Sequence, residues 1–176
     1  MNLRDAILEE HSKKQCSKIA AYIGDNQQRF DELVTLFLHD EYRVAQRAAW
    51  PLCNSVAAHP HLVKKHLKKV IRNLKKPGIH NAVKRNTMKL LQDIDLPESI
   101  RGDILDICFR YVADPKEAVA VKAFSLTILG RFTRQYPEII PEIKLLIEDQ
   151  LPHQTAAFAS RAKKVLKVLD GKNHTA

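Results

Sequence analysis

The fold is decided by the stretch Asp114-Pro-Lys-Glu-Ala-Val-Ala-Val-Lys-Ala-Phe-Ser-Leu-Thr-Ile-Leu-Gly130. It opens on Asp-Pro, where proline can begin a helix because its missing N–H would be unsatisfied there anyway. It carries valine, a basic residue and a small alanine on one face, and it reaches a glycine after about four turns. Working backwards, Asp40-Glu-Tyr-Arg-Val-Ala-Gln-Arg-Ala-Ala-Trp-Pro-Leu52 has the same order of features: Asp, then Val, a basic residue and Ala. The pairs Arg47-Ala48, Arg85-Asn86, Lys122-Ala123 and Arg161-Ala162 are separated by 38, 37 and 39 residues. A period of this size signals stacked helix pairs rather than an irregular bundle. The small residue lets neighbouring helices approach closely, and the basic residue can reach adjacent carboxylates or helix ends.

The rest of the chain is helical in pattern too. Apolar positions 62, 63, 67, 70, 71 and 74 form one stripe of a 3.6-residue helix. The run Ile104 to Val112 is apolar on a broader face and predicts a more buried helix. Prolines 60, 97, 115 and 137 mark starts, Asp25-Asn26 after Gly24 supplies a cap, and Lys76-Pro77-Gly78 and Asp170-Gly171 are stops. Helix starts are expected near residues 12, 26, 40, 60, 80, 97, 116, 137 and 154, after a short N-terminal turn. Only 5 Gly and 6% aromatic residues argue against sandwiches and barrels. At 176 residues the chain is expected to form a single domain, 1–176, with 45% hydrophobic residues to build its core.

The segment Asp114-Pro115 through Leu129-Gly130 resembles the HEAT-repeat (armadillo-like) family, with its acidic-proline start, valine-basic-alanine centre and leucine-glycine end. Pro51 falls where first helices of such repeats are often kinked. The resemblance covers roughly residues 12 to 170. It departs from the pattern in the first helix pair and at Asn86, which stands where alanine is expected. It implies an all-α, short right-handed α-solenoid of about four helix pairs plus a closing helix. In that case segments 26–38, 60–74, 97–112 and 137–150 would line the concave face of a stack about 40 Å long. Such arrays bind along one extended surface, which implies a non-catalytic binding or scaffold module.

Charge distribution supplies the functional lead. The net charge is +9, yet residues 42–92 contain no Asp or Glu and carry +12 in 51 residues, so the remainder is slightly acidic. Read as a regular helix, 60–76 places Lys64, Lys65, Lys68, Lys69, Arg72, Lys75 and Lys76 within about 140° of arc, opposite Val63, Leu67, Val70, Ile71 and Leu74. No acid at i+3 or i+4 relieves their repulsion. Lys84, Arg85 and Lys89 flank them. These ten residues are the candidate site for an anionic partner, either a nucleic acid backbone or an acidic protein surface. Tyr42 and Trp50 are the only aromatics near the stretch, so base stacking is not suggested. A membrane is not expected as partner, because the apolar face of the helix is needed for packing. Open terminal repeats would leave self-association as a further route to a homo-oligomer.

Other chemistry is sparse. His59, His61 and His66 are a His-x-His-x4-His cluster, but 61 and 66 lie about 140° apart on a helix and lysines surround them, so exposed histidines in capping or phosphate-contacting roles are expected over a metal. Asp103 and Asp106 read as a solvated face, Gly102 and Gly130 as sites of close helix packing, and Trp50 as a packing residue with Val44, Ala48 and Cys53. Some alkylation-repair DNA glycosylases are built from HEAT-like repeats, but no catalytic acid can be placed by motif, and neither a Gly-x-Ser-x-Gly elbow nor a phosphate-binding loop occurs. No catalytic residue and no cofactor are therefore assigned. Cys16, Cys53 and Cys108 fit neither a zinc nor a disulfide spacing and read as buried thiols, which with the lack of a leader-like N-terminus or a long apolar run suggests a cytoplasmic setting.

Overall fold

The computed structural model describes residues 1–171. The described chain is all-α. Its ten α-helices are α1 Leu3–Glu9, α2 Lys13–Ile23, α3 Gln27–His39, α4 Tyr42–Ala58, α5 Leu67–Leu74, α6 Asn81–Asp93, α7 Glu98–Ala113, α8 Val119–Phe132, α9 Ile140–Gln150 and α10 Ala156–Asp170. Three 3-10 segments, Pro60–His66, Pro137–Ile139 and Leu151–His153, adjoin α5 and α9. The chain divides into two compact units, the first ending at Asp95 and the second beginning at Leu96.

The local start signals work as physical chemistry dictates. The side chains of Ser12 and Asn26 accept hydrogen bonds from the amides of Gln15 and Arg29 at 3.1 and 3.0 Å, capping α2 and α3. Gly24, at φ +50°, closes α2 in a conformation that L side chains rarely adopt. The expected N-terminal turn is a full two-turn helix. Asn2 caps it by accepting from the Asp5 amide, and Leu3, Ala6 and Ile7 are buried against α2 and α4. Pro60 and Pro137 open 3-10 segments rather than α-helices. Asp114 caps the turn before α8 by accepting from the Lys116 amide, and that helix begins only at Val119.

In the first unit α2 and α6 both pack on α4, with α3 alongside α4. Alternate helices therefore stack, as a helix-pair repeat requires. Phe30, Leu33, Val44, Ala48, Val70 and Leu91 are almost completely enclosed. Trp50 is only half-buried, its ring edge-on to His11 at 5.8 Å, while Val44, Ala48 and Cys53 are buried. All three cysteines are free and buried. Burial pushes the thiol of Cys16 up to about 11 and that of Cys53 up to about 12, which leaves both un-ionised. Cys53 donates to the Asn86 carbonyl at 3.1 Å, and the Asn86 amide group donates to Ala82 at 2.8 Å. The polar residue at the repeat's alanine position is thus satisfied within its own helix.

In the second unit α8 lies between α7 and α10, and α7 also meets α9. A Cβ on Gly130 would come within 3.3 Å of Val165, so glycine allows α8 and α10 their close approach. Gly102 faces open space, and close packing does not account for it. The basic residues at the repeat position behave as the sequence suggests in two cases. Arg47 donates to the Leu8 carbonyl in the last turn of α1 at 2.8 Å. Lys122, 0% exposed, donates to the side-chain oxygen of Gln150 on α9 at 2.9 Å.

Candidate anion-docking face

The segment from Leu62 to Lys76 sorts its residues almost in pairs. Leu62 and Val63 are buried, Lys64 and Lys65 exposed; His66 and Leu67 are buried, Lys68 and Lys69 exposed; Val70 and Ile71 are buried, Arg72 exposed; Asn73 and Leu74 are buried, Lys75 and Lys76 exposed. The seven cations therefore lie on the solvent side of one continuous segment. The segment is not one regular α-helix, however. Residues 60–66 are 3-10, with about three residues per turn, so the angular map drawn from an α-helix applies only from Leu67 onward.

The 3-10 segment is held to α3 by hydrogen bonds. Asp31 on α3 faces the segment. One of its carboxylate oxygens accepts from His66 Nε2 at 2.6 Å and from Gln27 Nε2 at 2.9 Å; the other accepts from Lys65 Nζ at 2.6 Å. Gln27 Nε2 also donates to the Leu62 carbonyl at 3.0 Å. Leu62, Lys65 and His66 of the segment are thereby tied to Gln27 and Asp31 of α3 in one polar cluster, with the Phe30 ring 6.0 Å from His66. His66 is buried, which corrects its reading as an exposed histidine. His61 contacts Asp25 Oδ1 at 2.6 Å, and His59 lies 3.8 Å from the same oxygen. The three histidines thus turn to two different aspartates. Among the described residues no group of three or more His, Cys, Asp or Glu is placed to hold a metal ion.

Burial pushes the Asp31 carboxyl up, but the bonds from Lys65, His66 and Gln27 outweigh it and hold the pKa at about 2 against an ordinary 3.8. A carboxyl lowered on folding contributes stability in full above its unfolded value, and that contribution is lost as pH falls from about 4 to about 2. Asp31→Asn should therefore be less stable than the parent at pH 7, and the gap should narrow by pH 2.5. Urea unfolding at the two pH values measures this; a gap independent of pH would refute it.

The remaining candidate cations are distributed differently. Lys65 is committed to Asp31. Among the described residues Lys64, Lys68, Lys69, Arg72 and Lys76 form no ion pair, and Arg85 on α6 is likewise exposed and unpaired. Lys84 is half-buried. Lys89 lines a cavity of about 200 Å³ between α4 and α6, together with Cys53, Asn54 and Asp93. The aspartates that face the segment lie more than 30 residues earlier in the chain, beyond any i+3 or i+4 inspection. The only sequence signal for them is their place on a helix one repeat back.

Stacked helix pairs with alternate helices in contact, and a charged strip on their solvent side, define a helical-repeat protein. The HEAT repeat domain matches residues 3–169, nearly the whole chain, and the protein belongs to that family. The family's architecture is that of a helical scaffold or binding module. Comparison with curated proteins and with solved structures returned no match. No helix among the described residues is long and apolar enough to cross a membrane.

Proposed function

We propose that this HEAT-repeat protein is a non-catalytic docking module whose strip from Lys64 to Lys76 binds a polyanionic surface: a nucleic acid backbone or an acidic protein face. The observation that carries this reading is the paired alternation of buried apolar residues and exposed cations over 15 residues that contain no acid. Close cations repel one another, and counter-charge brought by a partner relieves that cost. On nucleic acid the contacts are to phosphates, and each neutralised phosphate releases condensed counterions. The absence of aromatic residues among these cations favours backbone contact without base readout. Lys65 holds the strip to α3 through Asp31, so its role is to position the others. Arg85 extends the surface, with Lys84 and Lys89 as flanking charge.

A salt titration with a short duplex DNA tests the nucleic-acid form. With about five phosphate contacts, log K should fall against log salt with a slope of about −4 to −5. Absence of binding at ~50 mM salt would eliminate nucleic acid and leave the acidic protein; binding that ignores salt would overturn docking by charge altogether.

A further inference from the structure

The second unit carries its own cluster of cations, unrelated to the strip just described. A groove of about 230 Å³ between α8 and α10 is lined by Thr127, Gly130, Arg131, Arg134, Arg161, Lys164, Val165 and Val168. Four of these are cations and none is an acid. Its floor exists because Gly130 lets α8 approach Val165 on α10. Cations at the C-terminal end of α8 complement the helix dipole, which accounts for Arg131 and Arg134. It does not account for Arg161 and Lys164, which lie within α10.

Arg161 holds the repeat position whose equivalents Arg47 and Lys122 turn inward to a carbonyl and to an amide oxygen. Arg161 is half-buried and Arg134 and Lys164 are exposed; among the described residues none of these three side chains has a hydrogen-bond or ion-pair partner. The acid nearest the end of α10, Asp170, is occupied by Lys144 at 2.6 Å. Three of the four cations that line the groove are arginines, whose planar forks suit the oxygens of a phosphate, and among the described residues Arg134, Arg161 and Lys164 meet no counter-charge.

We infer that the α8–α10 groove is a binding site for a phosphate dianion, as free phosphate or as the phosphomonoester of a small ligand. Its volume is below the roughly 300–1,000 Å³ of sites that enclose a drug-sized molecule, so it takes the phosphate group and little of what carries it. Arg134, Arg161 and Lys164 hold the oxygens, and Thr127 and the valines form the walls. A dianion is favoured over a singly charged diester because three cations without a partner among the described residues line one small volume.

The test is NMR titration of the whole chain with inorganic phosphate, phenyl phosphate and dimethyl phosphate, at ionic strength held constant with chloride. The expected result is saturable shifts of the Gly130 and Val165 amides with phosphate or phenyl phosphate, and weak, non-saturating shifts with dimethyl phosphate. Tighter binding of phenyl phosphate than of phosphate would identify the ligand as a monoester; the reverse would identify it as the free anion. Arg134→Ser and Arg161→Ser should each weaken binding about tenfold or more, whereas Lys68→Ser should leave it unchanged. Non-saturating shifts with every probe, or undiminished binding by both arginine variants, would overturn the site. So would dimethyl phosphate binding as tightly as phenyl phosphate. Loss of duplex binding in the docking strip bears on none of these outcomes.

Discussion

Reversing Lys68, Lys69 and Arg72 together to Glu should abolish docking to duplex DNA at every salt concentration while leaving the helical circular dichroism of the protein intact. All three side chains are exposed and, among the described residues, make no ion pair, so folding loses no native partner when they change. The strip, by contrast, exchanges three cations for three anions beside Lys64, Lys75 and Lys76. A milder triple change to Gln should lower affinity uniformly across sequences and flatten the salt slope by about three, one for each lost phosphate contact. Lys65 is left out by design. It sits 2.6 Å from Asp31, and a glutamate there would oppose that carboxylate and disturb the 3-10 segment itself. Full retention of binding in the Glu variant would place the docking surface elsewhere on the protein.

Lys122 should give the largest change in stability of any single charged residue here. Its side chain is completely enclosed, and its ammonium reaches Gln150 Oε1, which also accepts from Gln154 Nε2 at 3.1 Å. Lys122→Ala removes a buried four-carbon stem and should cost about 2–5 kcal/mol, the range for truncating a buried Met or Leu. Lys122→Met keeps the stem and discards the charge. Since Gln150 retains a donor in Gln154, this variant should lie within about 1.5 kcal/mol of the parent, or be more stable than it. Burial lowers the Lys122 pKa from 10.5, with the charges of Asp114 and Glu117 opposing the shift. A lysine lowered on folding penalises the fold while charged, so this residue's contribution improves as pH rises from its folded value towards 10.5. The Met variant should lack that rise. Chemical denaturation of the three proteins at pH 7 and pH 10 measures both effects. Equal damage from Ala and Met would show that the Lys122–Gln150 bond, rather than the stem, holds the helices.

Much of the fold was legible because its signals are local. Ser12, Asn26, Gly24 and the prolines act on groups a few residues away, and apart from α5, which begins seven residues after Pro60, the expected helices begin within about three residues of where those signals put them. The 3-10 form of Pro60–His66 was not legible: a pattern of Leu62, Val63, Leu67 and Val70 suits either helix type, and the bonds that Gln27 and Asp31 make to this segment come from a distant helix. His66 looked exposed for the same reason, its partner being 35 residues away. Gly102 and Gly130 are indistinguishable in sequence, yet only Gly130 has a neighbour that requires the missing side chain.

The amino-acid sequence by itself determined the class of this protein, its period and the acid-free run of cations, because helix periodicity, capping and charge are properties of neighbours in the chain. Only the tertiary structure decided how those charges are used. It committed Lys65 to Asp31 and buried Lys122 against Gln150, it turned Arg47 into a helix clamp, and it opened Arg161 onto a groove shared with Arg134. The physical reason is that a charge is defined by its surroundings, and these partners lie 27 to 39 residues apart along the chain, on other helices, where packing alone brings them together.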